Sequence, residues 1–66
     1  MINLIRNENV SPLESHFEIE INGKIVQFAK WQDMDWMIDY EIFNGKELLN
    51  ENEEEEVLEF IDEAII

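Results

Sequence analysis

The stretch NENEEEEVLEFIDEAII, residues 50–66, decides the expected fold because it predicts one long amphipathic helix. Asn50 can cap the first turn, and Glu53 stands three residues later, in the spacing of a capping box. Acidic side chains fall on one arc at the helical period of 3.6 residues, and like charges there oppose helix formation. Packing of the other arc must therefore hold the helix, and that arc carries Val57, Leu58, Phe60, Ile61, Ala64 and Ile65.

The surface on which such a helix can pack is predicted by residues 17–30, FEIEINGKIVQFAK. Apolar and polar residues alternate on both sides of Asn22-Gly23, the preferred pair for a two-residue type I′ hairpin turn. A two-residue loop fixes the register, so Ile21 should pair with Lys24, Ile19 with Val26, and Phe17 with Phe28. The last two pairs make one apolar sheet face.

A third strand is expected over residues 36–43, with Trp36, Ile38, Tyr40 and Ile42 on one side. The next segment, residues 46–49, follows a second Asn-Gly pair and is interpreted as a turn leading into the helix, with a short fourth strand as the alternative. The expected fold is therefore α+β: a three-stranded antiparallel meander packed against one C-terminal acidic helix.

Sixty-six residues predict a single small domain over 1–66. Residues 1–15 are expected as an edge strand or as a cover for an exposed apolar face, residues 16–43 as the meander and residues 50–66 as the helix. The Ser11-Pro-Leu-Glu14 segment has capping-box form and predicts one helical turn at most.

The charge balance argues against some classes of function. Seventeen acidic residues against four Lys and Arg give a net charge of -13, which argues against direct binding to nucleic acid or to an anionic membrane. No cysteine and no apolar run of membrane-spanning length occur, so we expect a cytoplasmic protein without disulfides.

No pattern in the sequence predicts catalysis. His16 is the only histidine and has no orienting partner in a recognisable arrangement, so we expect a protein that is not an enzyme and needs no cofactor. Asp33, Asp35 and Asp39 lack the central glycine and the terminal glutamate of a calcium loop. We therefore expect no metal site.

The acidic array carries the main functional hypothesis, a surface that binds a basic partner. Eight carboxylates between residues 51 and 63 approach the linear charge density of duplex DNA. Few Lys or Arg accompany them, whereas an ordinary surface helix mixes signs. The candidate partner-binding residues are Glu51, Glu53, Glu54, Glu55, Glu56, Glu59, Asp62 and Glu63, with Asp33 and Asp35 extending the field.

An aromatic corner, Trp31 to Met37, supports a second hypothesis. Trp31 and Trp36 either cap the open end of the core or anchor a protein partner, since Trp is enriched in binding hot spots. Trp31 should share the second sheet face with Ile25 and Ala29, and that face is a candidate surface for another protein or for a homodimer. Binding there should tolerate salt.

In its size, its charge and its Glu-lined helix over residues 51–63, with a short sheet in front, the chain resembles the small acidic proteins that bacteriophages make to inhibit host DNA-processing or defence enzymes. Many of those proteins are DNA mimics. The resemblance implies an inhibitor that occupies the basic surface of a nucleic-acid-binding protein in the host cytoplasm, without chemistry of its own.

Overall fold

A four-stranded antiparallel sheet with a helix on one face forms this protein. The computed structural model describes residues 1–33, 35 and 37–65. The strands lie in the order β1-β2-β3-β4, so each is hydrogen-bonded to its neighbour in sequence. The α+β class is confirmed, with a fourth strand present. The elements are β1 (Ile2–Ser11), β2 (Glu14–Ile21), β3 (Lys24–Gln32), β4 (Ile38–Asn44), a 3-10 turn (Lys46–Leu48), the helix α1 (Glu51–Phe60) and a π-helical turn (Ile61–Ile65).

The central hairpin of β2 and β3 has the predicted turn and register. Asn22 and Gly23 both have positive φ, 51° and 78°, as a type I′ turn requires. Ile21 lies opposite Lys24, Ile19 opposite Val26, and Phe17 opposite Phe28. The two phenylalanine rings stack with centroids 5.0 Å apart.

The core lies between this hairpin and α1. Its fully buried large side chains come from both layers, and burial of each stabilises the fold by about 1.5–3 kcal/mol. Tyr40 and Ile42 of β4 pack against the core from the side, as expected for the strand that follows the hairpin. The fully buried residues are Ile19, Ile21, Val26, Phe28, Val57 and Ile61.

The fourth strand is N-terminal. β1 extends over ten residues and pairs with β2, which agrees with the edge-strand interpretation of residues 1–15 and not with a cover for the second sheet face. Within β1, all of which the structure describes, only Ile2 packs against the core, while Leu4 and Ile5 are half exposed. Pro12 and Leu13 form the β1–β2 turn, so the helical turn expected there is wrong.

The second Asn-Gly pair serves a different turn. Gly45 has φ 91°, and a Cβ there would collide with the carbonyl oxygen of Ile25. Residues 46–48 then form a 3-10 turn, so the alternative of a short strand at this place is wrong.

The C-terminal helix is shorter than the predicted 50–66. α1 ends at Phe60, and a π-helical turn continues it to Ile65. Val57 and Ile61 of the predicted apolar arc are buried, Phe60 and Ile65 pack against the core, and Ala64 is exposed. Lys30 Nζ donates a hydrogen bond to the carbonyl oxygen of Ile65 at 3.1 Å, which fastens this end to β3.

Across the described ranges, no helix has the length and apolar character needed to cross a membrane.

Candidate functional site

The exposed carboxylates of the C-terminal segment form one acidic surface, which we call the acidic ridge. Six acidic side chains on α1 and its π-helical turn are exposed to solvent. Their helical spacing places them away from Val57 and Ile61, the buried side of the same segment. The acidic ridge consists of Glu51, Glu55, Glu56, Glu59, Asp62 and Glu63.

Glu53 belongs to the same glutamate run but lies on the other side of the helix. Its side chain is only 6% exposed. One carboxylate oxygen, Oε1, accepts hydrogen bonds from Lys24 Nζ at 2.6 Å and from the backbone N–H of Asn50 at 3.0 Å. The other oxygen accepts one from the amide of Asn22 at 3.0 Å. Glu53 therefore fastens α1 to the β2–β3 turn and is not available to a partner.

These contacts stabilise the charged form of Glu53. The hydrogen bond from Lys24, then those from the backbone of Asn50 and the side chain of Asn22, lower the pKa of Glu53 from 4.5 to about 2. The side chain of Asn50 accepts a hydrogen bond from the Glu53 backbone N–H at 2.8 Å, which completes the capping box. The start of the acidic helix is thereby fixed in place.

Glu54 lies at the border of the acidic ridge. It is half exposed, and its carboxylate is 3.9 Å from Lys46 Nζ. Exposed pairs at such distances contribute little to stability. Glu54 adds charge to the side of the helix that faces β4.

The four Lys and Arg side chains contact groups outside the acidic ridge. Lys24 binds Glu53, Lys46 lies near Glu54, Lys30 binds the carbonyl oxygen of Ile65, and Arg6 lies 4.0 Å from Glu8. Within the described ranges, the only positive group near an acidic-ridge carboxylate is the N-terminal amine, 3.7 Å from Glu56. The acidic ridge therefore has little charge compensation.

Asp33 and Asp35 lie in the segment between β3 and β4. The Asp33 carboxylate accepts backbone hydrogen bonds from Asp35 at 2.9 Å and from Met37 at 3.0 Å. Asp33 thus shapes this turn, and Asp35 is exposed. Lys30, near the same end of β3, holds Ile65, so both aspartates lie at the end of the molecule where the acidic ridge ends.

Trp31, the aromatic candidate that the structure describes, lies away from the acidic ridge. Trp31 is half-buried and lies opposite Glu14 and Asp39 on the sheet face that α1 does not cover. Trp36 and Met34 lie outside the described residues. Phe43 accompanies Trp31 on this face, with its ring centroid 5.4 Å from that of His16.

Three side-chain contacts, two at Glu53 and one on the uncovered sheet face, are not predicted from the sequence. Asn22 and Lys24 bind Glu53, and the signal that could have found this is a lysine next to a tight hairpin turn in a chain with few cations. His16 Nε2 lies 2.7 Å from Glu14 Oε2, which fixes the imidazole on the uncovered sheet face. In the part of the chain that the structure describes, no group of three or more His, Cys, Asp or Glu is placed to hold a metal ion.

Comparison of the chain with protein-family models, with curated proteins and with solved structures finds no match.

Proposed function

We propose that this protein is a non-enzymatic inhibitor that occupies the basic surface of a nucleic-acid-binding protein, with the acidic ridge taking the place of nucleic-acid phosphates. Its target would be a host or defence enzyme that acts on nucleic acid in the cytoplasm, as for the phage inhibitors that the chain resembles. Asp35 and Glu54 extend the field of the acidic ridge at its borders.

The observation that carries this proposal is the uncompensated charge of the acidic ridge on a molecule of suitable length. The long axis measures 34 Å, about the length of one turn of duplex DNA. The six acidic-ridge carboxylates lie between residues 51 and 63, a rise of about 18 Å, so the ridge presents one charge per about 3 Å, compared with about 3.4 Å along one strand of duplex DNA. A cationic groove built for phosphates would meet a comparable charge density.

Rigidity supports the same proposal. Glu53 and Lys30 fasten the two ends of the acidic segment to the sheet, and Val57 and Ile61 are buried beneath its middle. A preorganised array loses little conformational entropy when it binds. Its field also accelerates encounter with a cationic partner.

The acidic-ridge carboxylates share one exposed environment. Acid–base catalysis by paired carboxyls requires different environments that separate their pKa values. The arrangement therefore favours binding over chemistry.

Affinity capture tests the proposal. The full chain is immobilised, exposed to a bacterial lysate and eluted with a salt gradient, and the eluted proteins are identified by mass spectrometry. Nucleic-acid-binding enzymes should elute together at moderate salt, because Coulombic contacts are screened there. Duplex DNA added to the lysate should displace the same proteins.

Two double variants of equal net charge distinguish the effect of where the charges lie from the effect of the net charge itself. Glu55→Lys with Glu59→Lys reverses two charges on the acidic ridge, and Glu8→Lys with Glu47→Lys reverses two exposed charges elsewhere. Each pair adds four positive units and changes the net charge from -13 to -9. Capture should be lost only for the first pair. Equal capture by both variants, or capture that DNA does not reduce, would refute the proposal.

A further inference from the structure

The sheet face that α1 does not cover combines an apolar centre with acidic borders. The register places Ile25 beside Glu20, Ala29 between His16 and Glu41, and Trp31 between Glu14 and Asp39. Phe43 joins the centre beside His16. We use the name acid-bordered trough for a row of apolar residues that lies between two rows of acids on this face: its floor is Ile25, Ala29, Trp31 and Phe43, and its borders are Glu14, Glu18 and Glu20 on β2 and Asp39 and Glu41 on β4.

The floor has apolar surface that is accessible to a partner. Phe43 is 52% exposed and Ile25 is 38% exposed, although each belongs to a strand of the sheet. Gln27, the polar residue on this part of β3, donates a hydrogen bond to Glu18 at 3.0 Å and accepts one from Asn44 at 2.9 Å. These bonds engage both the nitrogen and the oxygen of its amide, which lowers the cost of desolvating the floor there.

The charges around the trough determine which kind of partner can bind there. Lys24, Lys30 and Lys46 all bind groups on the α1 side of the molecule. Arg6, opposite Glu18, is the cation that the described residues place at this face, and it lies 4.0 Å from Glu8. A partner for the trough must therefore be cationic. A second copy of the chain would place acidic border against acidic border in a two-fold interface, which like-charge repulsion opposes.

The dimensions of this face accommodate a helix. Neighbouring strands are about 4.8 Å apart, so the borders on β2 and β4 lie about 10 Å apart across β3, close to the diameter of an α-helix. From Ile25 to Trp31 the floor is about 20 Å long, the length of a helix of about 13 residues. Such a helix would place one apolar stripe on the floor and Lys or Arg beside each border.

Strand addition is less suited to this sheet. β1 has register shifts between Leu4 and Arg6 and between Asn9 and Ser11, and the β3–β4 ladder has one between Gln27 and Phe28. Bulges at sheet edges disturb the row of backbone groups that an added strand would need. The face therefore offers a better site than either edge.

We propose that the acid-bordered trough binds a basic amphipathic helix of a partner protein. The trough lies on the opposite side of the sheet from the acidic ridge, so this site is independent of the proposed function. Binding to the acidic ridge requires only a cationic partner. Binding to the acid-bordered trough requires a cationic partner that also has an apolar stripe over the floor.

The test uses two synthetic peptides and the full chain. One peptide of about 14 residues places Leu and Lys at amphipathic helical spacing, and the other has the same composition in an order that destroys the stripe. Calorimetry should give an affinity about tenfold higher for the amphipathic peptide. Both peptides have the same charge, so the ratio of their affinities isolates the apolar contribution.

Variants locate the site. Ile25→Ser with Phe43→Ser should reduce that ratio to about one. Leu48→Ser should leave it unchanged, since Leu48 is 54% exposed but lies outside the trough. The Glu55→Lys, Glu59→Lys pair should weaken both peptides and keep the ratio, so failure of the proposed function and failure of this site are distinguishable.

Amide chemical shifts in NMR spectra give a readout that does not depend on variants. The amphipathic peptide should shift the amides of Ile25, Ala29 and Phe43 more than those of α1. Equal affinities for the two peptides, an unchanged ratio in the Ile25→Ser, Phe43→Ser variant, or shifts confined to α1 would overturn the proposal. A dimer in sedimentation experiments that the same variant dissociates would also overturn it, in favour of a second copy.

Discussion

Glu53 and Glu55 are two residues apart in one run of glutamates, and the structure gives them opposite roles. Glu53 is buried and accepts hydrogen bonds from Lys24, Asn22 and the backbone of Asn50. Glu55 is exposed, and in the described part of the chain it has no ion pair. Identical side chains thus hold the fold or form the acidic ridge according to the helix face on which they lie. A formal count of charges does not separate these roles.

Removing the Glu53 carboxylate should have the largest effect on stability. Glu53→Ala leaves the Lys24 ammonium, the Asn22 amide and the Asn50 N–H without their acceptor. Thermal unfolding followed by circular dichroism should give a clear fall in Tm. Glu55→Ala, the control, should leave Tm unchanged or slightly raised, because Ala favours the helix and one repulsive charge is removed. Equal changes in Tm for Glu53→Ala and Glu55→Ala would contradict the different roles of the two residues.

The contribution of Glu53 should depend on pH in a defined window. Since its pKa is lowered from 4.5 to about 2, its stabilisation is complete above about pH 5 and is lost as the pH falls from 4.5 towards 2. The difference in Tm between the wild-type chain and Glu53→Ala should be constant near neutrality and close over that interval. A difference that persists at pH 2 would contradict the assignment.

The other half of the capping box should contribute less. Asn50→Ala removes the acceptor for the Glu53 backbone N–H and should cost about 1 kcal/mol of unfolding free energy, measured by urea denaturation. Asn52→Ala is the control, because Asn52 is exposed inside α1 and does not cap it. A loss as large for Asn52→Ala as for Asn50→Ala would mean that the cap does not stabilise the helix.

Neutralising one acidic-ridge residue should have the smallest effect, with the opposite sign. Glu59 is four residues from both Glu55 and Glu63, so Glu59→Gln should raise the unfolding free energy by a few tenths of a kcal/mol at low salt. Because the Debye length falls from about 30 Å at 0.01 M to about 3 Å at 1 M, the gain should vanish at high salt. Urea denaturation at the two salt concentrations measures it, and a gain that survives 1 M salt would have another cause.

The sequence predicts the parts of the fold that local chemistry determines. Asn22-Gly23 requires two residues with positive φ and so sets the register of β2 and β3. The sequence leaves two interpretations of residues 1–15 open, because most of β1 is exposed and its two register shifts break any alternation. Backbone pairing with β2 defines this strand, and the apolar pattern does not record that pairing.

The candidate site could be predicted only in outline. The glutamate run and the capping spacing mark an acidic helix, but the burial of Glu53 depends on Asn22 and Lys24, about thirty residues earlier in the chain. Such long-range contacts leave no periodicity in the sequence. The tertiary structure is therefore required to distinguish Glu53 from the acidic-ridge residues.

The most direct test of the central claim is the affinity for the captured partner as a function of salt concentration. For the wild-type chain, the logarithm of the binding constant should fall steeply with the logarithm of the salt concentration, as it does for contacts that replace phosphates. At low salt the Glu55→Lys, Glu59→Lys pair should bind at least about tenfold more weakly, whereas the Glu8→Lys, Glu47→Lys pair should stay close to wild type. Salt-independent affinity, or equal weakening by both pairs, would contradict the claim that the acidic ridge is the binding surface.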